Sequence, residues 1–292
     1  MNTNLKLKTP TSNYRKGLRA NRILCYFVLI FLCLVCLFPF FILIINSSRL
    51  NSEIQKGFSL LPSQYFFRNA KNLFSDQNIP ILRGLINSVY ISTLASILAV
   101  YVSSMTAFGI YMYNFKLKKF AFSFVLLVMM VPVQISALGF LKLMIRFGLM
   151  DTFYPLIVPA AAAPVVIFFM IQYMQSVLPF EIVEAARVDG SNEFYTFNKI
   201  VLPILKPAIA LQMIFSFVGS WNNYFMPALI INSKDKKTIP ILIAQLRGAD
   251  YMKFDYGKVY MLICVAILPL LIIYLFLSRF IIQGVTLGSV KG

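Results

Sequence analysis

The chain has 292 residues, 59% of them hydrophobic and 13% charged, with a mean hydropathy of +0.78. Lys and Arg number 27 against 10 Asp and Glu, giving a net charge of +17, and there is no histidine. So little charge cannot hold so much apolar surface in water. This excludes a soluble globule, and with it a nucleic-acid binder, which needs a basic face on a water-soluble body.

Six intervals lack Asp, Glu, Lys and Arg and are long enough to cross a bilayer: 23–48, 84–115, 120–141, 152–180, 207–233 and 259–278. A helix needs about 20 apolar residues to span a hydrocarbon core of roughly 30 Å. The pattern predicts an all-α polytopic membrane protein with six transmembrane helices. A basic tail (1–22) precedes a membrane domain (23–283), and a short tail (284–292) follows it. Lys6, Lys8, Arg15, Lys16, Arg19 and Arg22 stand before the first span. Ile23 to Ile45 is too long for a signal-peptide core, and no small-residue cleavage site follows it. The first span therefore reads as uncleaved, with its cations in the cytosol. Lys116, Lys118 and Lys119, in a turn without acids, agree with that orientation, which places both termini inside. Over all loops Lys and Arg divide almost evenly between the two faces, so orientation rests on the segments beside the first three spans. Cys25, Cys33, Cys36 and Cys264 lie within spans and read as small apolar filling rather than metal ligands.

Without histidine, and without an acid in any span, the membrane interior offers no nucleophile–base pair, carboxylate pair or metal set. The chain reads as a non-enzyme that needs no cofactor or metal of its own. It also lacks the intramembrane ionisable group of most ion-coupled carriers and a Gly-rich Lys-Ser/Thr phosphate loop. Energy for uphill transport would have to come from a partner protein.

The loop after the fourth span, 179–206, departs from the basic trend and carries four acids: Glu181, Glu184, Asp189 and Glu193. Pro179 suits a helix start, Glu181 favours the positive end of its dipole, and Gly190 is a natural left-handed stop. Ser191 is the predicted cap of a second helix that Pro203 helps to end. On the first helix Glu181, Glu184, Ala185 and Val188 share one side. Ala185 and Ala186 are too small to keep another surface away. These features fit either a knob for a cytosolic partner or an amphipathic connector lying on the membrane.

The spacing of Glu184, Ala185, Ala186, Gly190, Ile200, Leu202 and Pro203 resembles the Glu-Ala-Ala loop of ABC importer permeases, and Asp189, Phe197 and Pro207 fit its fuller form. Asn87-Ser88, Val131-Pro132-Val133-Gln134, Trp221-Asn222-Asn223-Tyr224 and the ending from Gln283 to Gly292 extend the likeness to the carbohydrate group that contains the smaller maltose permease subunit. The resemblance implies the type I importer permease fold in a bacterial cell membrane. It also implies a second permease as heterodimeric partner, two ABC ATPase subunits that bind the ATP, an extracytoplasmic solute-binding protein and a carbohydrate substrate. Glu181, Glu184, Ala185, Ala186, Arg187, Asp189, Gly190, Ile200, Leu202 and Pro203 would then couple the permease to the ATPase. The outer loops, Arg49 to Arg83 and Ser233 to Lys258, would meet the binding protein.

A neutral sugar calls for amides, hydroxyls and aromatic faces rather than charge. The candidates for the substrate pathway are Asn87, Tyr90, Gln134, Trp221, Asn222, Asn223 and Tyr224, with helix-to-helix bonding as the competing role. A permease for another solute, such as a polyamine or phosphonate, and a passive channel or scaffold are the alternatives. Gly284, Gly288 and Gly292 read as a flexible polar tail.

Overall fold

The computed structural model describes residues 12–76, 79–248 and 255–288, and all of its regular structure is helical. Helix α1 (Ser12–Ser47) is followed on one face by the short α2 (Asn51–Gln55) and α3 (Phe66–Phe74). Then come α4 (Ile81–Met112), α5 (Lys118–Met129), α6 (Val133–Arg146), α7 (Tyr154–Ile157) with a 3-10 turn, and α8 (Pro164–Val177). The loop segment holds α9 (Phe180–Val188), α10 (Glu193–Tyr195), a π-helical turn (Thr196–Val201) and α11 (Leu202–Ile204). The chain continues with α12 (Lys206–Trp221), α13 (Phe225–Ile230), a 3-10 turn (Lys234–Lys236), α14 (Ile239–Arg247) and α15 (Tyr256–Gly288).

Among the described residues four segments are long and apolar enough to cross a membrane: Asn21–Ser47, Ile81–Met112, Tyr154–Val177 and Tyr256–Ser278. Two bent pairs pass the same test jointly and bring the number to as many as six: Lys118–Met129 with Val133–Arg146, at 97°, and Glu193–Ile204 with Lys206–Trp221, at 84°. The expected third span, 120–141, is therefore two helices meeting at Met130-Val131-Pro132. Pro132 has no N–H to continue the ladder, and its ring disfavours a helical Val131. The expected fifth span, 207–233, likewise breaks at Asn222-Asn223-Tyr224, between α12 and α13.

Helix α4 is the hub, packed against both α12 and α8, while α1 runs along α15. Ser88, Ser92, Ala95, Ser96, Ala99, Ser103 and Ala107 recur at three- and four-residue spacing on α4 and are all buried. Such small side chains let helices approach closely in a membrane. One core cluster joins Ala107, Phe108, Met170, Met174, Val183, Phe197 and Leu205, rooting α9 and the π turn on the ends of α4 and α8. A second joins Leu73, Ile81, Phe217, Trp221, Ile239, Leu242 and Leu262 beneath the opposite face. On that face Asn69 donates to the carbonyls of Ser47 (2.8 Å) and Arg49 (2.9 Å). A Cβ on Gly257 would stand 2.9 Å from the Arg49 carbonyl, so only glycine fits where α15 begins.

Two smaller expectations change. Cys25, Cys33 and Cys36 are exposed on α1, so they face its surroundings rather than fill a core. Helix α15 runs to Gly288, into the segment read as a flexible tail; residues 289–292 and the cations Lys6 and Lys8 lie outside the described residues.

Candidate functional site

The loop of 179–206 roots one side of its first helix in the body and displays the other. Pro179 is the N-cap of α9, with extended backbone, and Glu181 occupies the first turn as its charge favours. Val183 and Ala186 are buried, whereas Glu181, Glu184, Ala185 and Val188 are exposed, Val188 at 88%. The predicted side of the helix is thus the outer one, with a correction for Ala186. One residue on from Ala185, it points 100° further round and packs into the body, so Ala185 alone supplies the small exposed side chain.

Gly190 ends the helix at φ +79°. Its N–H donates to the Arg187 carbonyl (3.0 Å), and the Ser191 N–H reaches back to Ala186 (2.9 Å). This is the paired bonding of a Schellman stop. It also explains why the predicted cap moves. Ser191 belongs to the stop, with its hydroxyl 2.8 Å from that of Thr196, and Asn192 caps the next helix by accepting the Tyr195 N–H at 2.8 Å.

Arg187 turns away from the displayed face. Its Nε donates to Glu193 across the glycine stop at 2.6 Å, and its guanidinium lies 5.4 Å from the centre of the Tyr113 ring, just beyond α4. The hydrogen bond from Arg187 holds the Glu193 carboxyl below its usual range, Glu193 in turn raises Arg187, and burial chiefly pushes the Tyr113 phenol up. Further ties run from Tyr101 to Asn198 (3.1 Å) and from Tyr111 to the Leu178 carbonyl (3.0 Å), and the Tyr111 and Phe180 rings stack at 4.9 Å. Asp189 is exposed at the C-cap, Ile200 and Leu202 are half-buried, and Pro203 is exposed. Pro203 does not end the helical stretch, which runs to Ile204. A π turn precedes it, relieving the clash of its ring with the preceding turn.

The substrate-pathway candidates do not form one group. Trp221 is 3% exposed and stacked on Phe217 in the core, with ring centres 5.7 Å apart. Asn87 donates to the carbonyls of Asp235 (2.8 Å) and Lys237 (3.0 Å), and its neighbour Ser88 accepts the Ile239 N–H (2.8 Å). Asn223, one residue before the N-cap of α13, accepts the Met226 N–H at 3.3 Å. With Ser88, Ser92, Ser220 and Thr238 it lines a void of about 20 Å³, enough for one water and far too small for a sugar. Trp221, Asn222 and Tyr224 line a cleft of about 380 Å³ between α12, α14 and α15, together with Arg247, so the core-packed indole also borders this cleft. Tyr90 is half-exposed beside Phe153, and Gln134 is exposed at the start of α6.

Sequence reasoning missed a clasp on the face opposite α9. Asp151, itself at φ +56°, accepts the N–H groups of Asn232 and Ser233 (both 2.9 Å), the Ser233 hydroxyl and the Lys236 ammonium (3.2 Å). The Ser233 bonds hold its carboxyl below the usual carboxylate range. Arg83 pairs with Asp235 at 2.9 Å, and Lys258 with Asp76 at 3.0 Å. Partners more than eighty residues apart leave no local sequence signal.

Residues 99–286 match the family model described as "Binding-protein-dependent transport system inner membrane component". The chain is 34% identical over 267 residues to the arabinooligosaccharides transport system permease protein AraQ of Bacillus subtilis, covering 89% of this chain and 92% of that one. It is 30% identical over 266 residues to the lactose transport system permease protein LacG of Rhizobium radiobacter, covering 91% and 95%. Its fold is similar to a chain in the crystal structure of a bacterial ABC transporter involved in the import of alginate. The TM-score is 0.78 at 18% identity, over 93% of this chain and 99% of that one.

Proposed function

The chain belongs to the binding-protein-dependent transport system inner membrane component family, as a non-catalytic, multi-pass permease subunit of an ABC importer that works with a binding protein, and from that premise we propose that it carries neutral sugars or oligosaccharides. A second, related permease would complete the pathway, and two ATPase subunits would drive it from the cytosolic side, where both termini lie. The arabinooligosaccharides and lactose for which AraQ and LacG are named support the carbohydrate assignment. So do the uncharged spans, which suit a neutral solute held by hydrogen bonds and aromatic faces. Asn222, Tyr224, Tyr90 and Gln134 remain the candidates for contact with it. Trp221 packs on Phe217 yet borders the same cleft as Asn222 and Tyr224, while Asn87 and Asn223 act one layer back, by bonding the backbone.

The observation that carries the coupling role is the division of α9. Its buried side, Val183 and Ala186, fixes it to the body, while Glu181, Glu184, Ala185 and Val188 are offered outward on a helix closed by Gly190. Asp189, Ile200, Leu202 and Pro203 frame that knob. Arg187 serves it from behind, by holding Glu193.

The test is uptake into proteoliposomes holding the full transporter with its binding protein. ATP-dependent accumulation of arabino- or malto-oligosaccharides, absent without ATP, is the expected result. Accumulation of glycerol 3-phosphate or a polyamine with no sugar uptake contradicts the substrate assignment, and flux indifferent to ATP contradicts the importer role.

A further inference from the structure

The ends of α4 and α8, the start of α5 and the start of α9 enclose a crevice of about 410 Å³, within the size range of small-molecule sites. Its buried lining is apolar, from Ile110 and Ile171. Aromatic walls come from Phe122 and from Phe180, the latter stacked on Tyr111. Lys118, Lys119 and Gln175 complete the lining. We propose that this crevice binds an anionic phospholipid, whose phosphate is held by Lys118 and Lys119 while the head of its acyl chain enters the apolar part.

The occupant follows from where the crevice stands. Lys118 and Lys119 come immediately before the charge-free interval 120–141, so they lie at the height where hydrocarbon gives way to headgroups. Ile110 and Ile171 belong to charge-free intervals, 84–115 and 152–180, and so lie toward membrane depth. The adjoining surface of α5 exposes Phe120, Phe124 and Leu127, at 67%, 55% and 61%. A molecule with an anionic head and an apolar chain matches that order of surfaces, and a soluble anion matches only the lysines.

Charge complementarity points the same way. The turn 114–119 holds Lys116, Lys118 and Lys119 and no acid. Glu181, next to Phe180, is the neighbouring acid and is outnumbered. Lys118 also donates to the Tyr111 carbonyl at 2.9 Å, which fixes one ammonium beside the crevice. The inference needs only the membrane-embedded fold and is independent of which solute the transporter carries.

The test uses the complete transporter in nanodiscs of mixed phosphatidylcholine and phosphatidylglycerol, with native mass spectrometry reading the lipids retained on release. The wild type is expected to retain phosphatidylglycerol over phosphatidylcholine. Each lysine near the surface contributes about fivefold in affinity for an anionic lipid, so Lys119→Gln lowers that preference by about this factor. Lys118→Gln/Lys119→Gln lowers it further, and Lys118→Arg/Lys119→Arg preserves it. Lys118 also bonds the end of α4, so Lys119→Gln and Gln175→Glu, both at exposed positions, decide the matter if the double variant fails to assemble. Gln175→Glu leaves both lysines in place and is expected to repel the lipid phosphate. An unchanged lipid ratio in these two variants overturns the proposal. Retention of no phosphatidylglycerol by the wild type, or its displacement by inorganic phosphate, overturns it as well.

Discussion

The two faces of this permease treat their charges in opposite ways. On the face opposite α9, charged groups are bonded to one another and to backbone: Asp151 to Ser233 and Lys236, Arg83 to Asp235, Lys258 to Asp76. On the face that carries α9, Glu181, Glu184 and Asp189 stand on a short helix outside such a network, while Arg187 pairs with Glu193 and Lys118 bonds the Tyr111 carbonyl. Internal pairing binds separate segments into one body. Display leaves charge available to another protein. The contrast fits a holding role for the clasp at Asp151 and supports the docking role proposed for α9.

The largest effect is expected from Gly190→Val. A β-branched residue at φ +79° is strongly disfavoured, at roughly 1–2 kcal/mol or more. No heavy atom lies within 4 Å of the position its Cβ would take, so the effect arises from backbone strain rather than a clash. Coupled uptake should fall at least tenfold while the protein still inserts and is recovered from membranes; normal uptake would show that the Schellman stop is dispensable.

Next comes Asp151→Ala on the face opposite α9. It removes one acceptor from four donors, and hydrogen bonds to a charged group are worth about 1.5–3 kcal/mol each at most. A clear fall in the thermal midpoint of the purified transporter is expected, with ATPase binding intact. The carboxyl of Asp151 is depressed on folding, so its contribution is present at every pH above the unfolded value of about 3.9 and is lost only as pH falls through the lower folded value. The difference in midpoint between wild type and Asp151→Asn should accordingly stay constant between neutral and mildly acidic pH. A difference that vanishes in mild acid would contradict the clasp.

Arg187→Ala is expected to cost little stability, about 0–1 kcal/mol for a pair this exposed. It should nevertheless raise the ATP hydrolysed per solute imported, because the helix loses its tie to Glu193 and Tyr113. Restoration by exchanging the charges, Arg187→Glu with Glu193→Arg, would show that the pair itself positions α9. The smallest effect belongs to Arg83→Ala, whose ion pair is 63% exposed on each side, so stability and uptake should be unchanged within error.

How much of this was legible beforehand follows from what each signal encodes. Charge-free intervals report apolarity but not direction, so they located α4 and α15 and concealed the 97° turn at Pro132. The proline was itself a visible warning. The Glu-Ala-Ala spacing and Gly190 fixed α9 to within a residue, because helix stops have local chemistry. The cap was misplaced by one position, since Ser191 and Asn192 are both competent and only the bond from Ser191 to Ala186 chooses between them. Trp221, the single tryptophan, stands out in sequence beside two amides, but its stacking on Phe217 in the core, at the edge of the cleft it shares with Asn222 and Tyr224, leaves no local signal. The clasp at Asp151 was invisible, since nothing local ties Asp151 to Ser233 or Arg83 to Asp235.

The central claim is that the outward side of α9 meets the ATPase. Single cysteines at Ala185→Cys, Val188→Cys and Val183→Cys, in a transporter whose native cysteines are replaced, test it by cross-linking to the ATPase subunit. The account predicts cross-links from positions 185 and 188 and none from the buried position 183. An active transporter that shows no cross-link at 185 or 188 would contradict it.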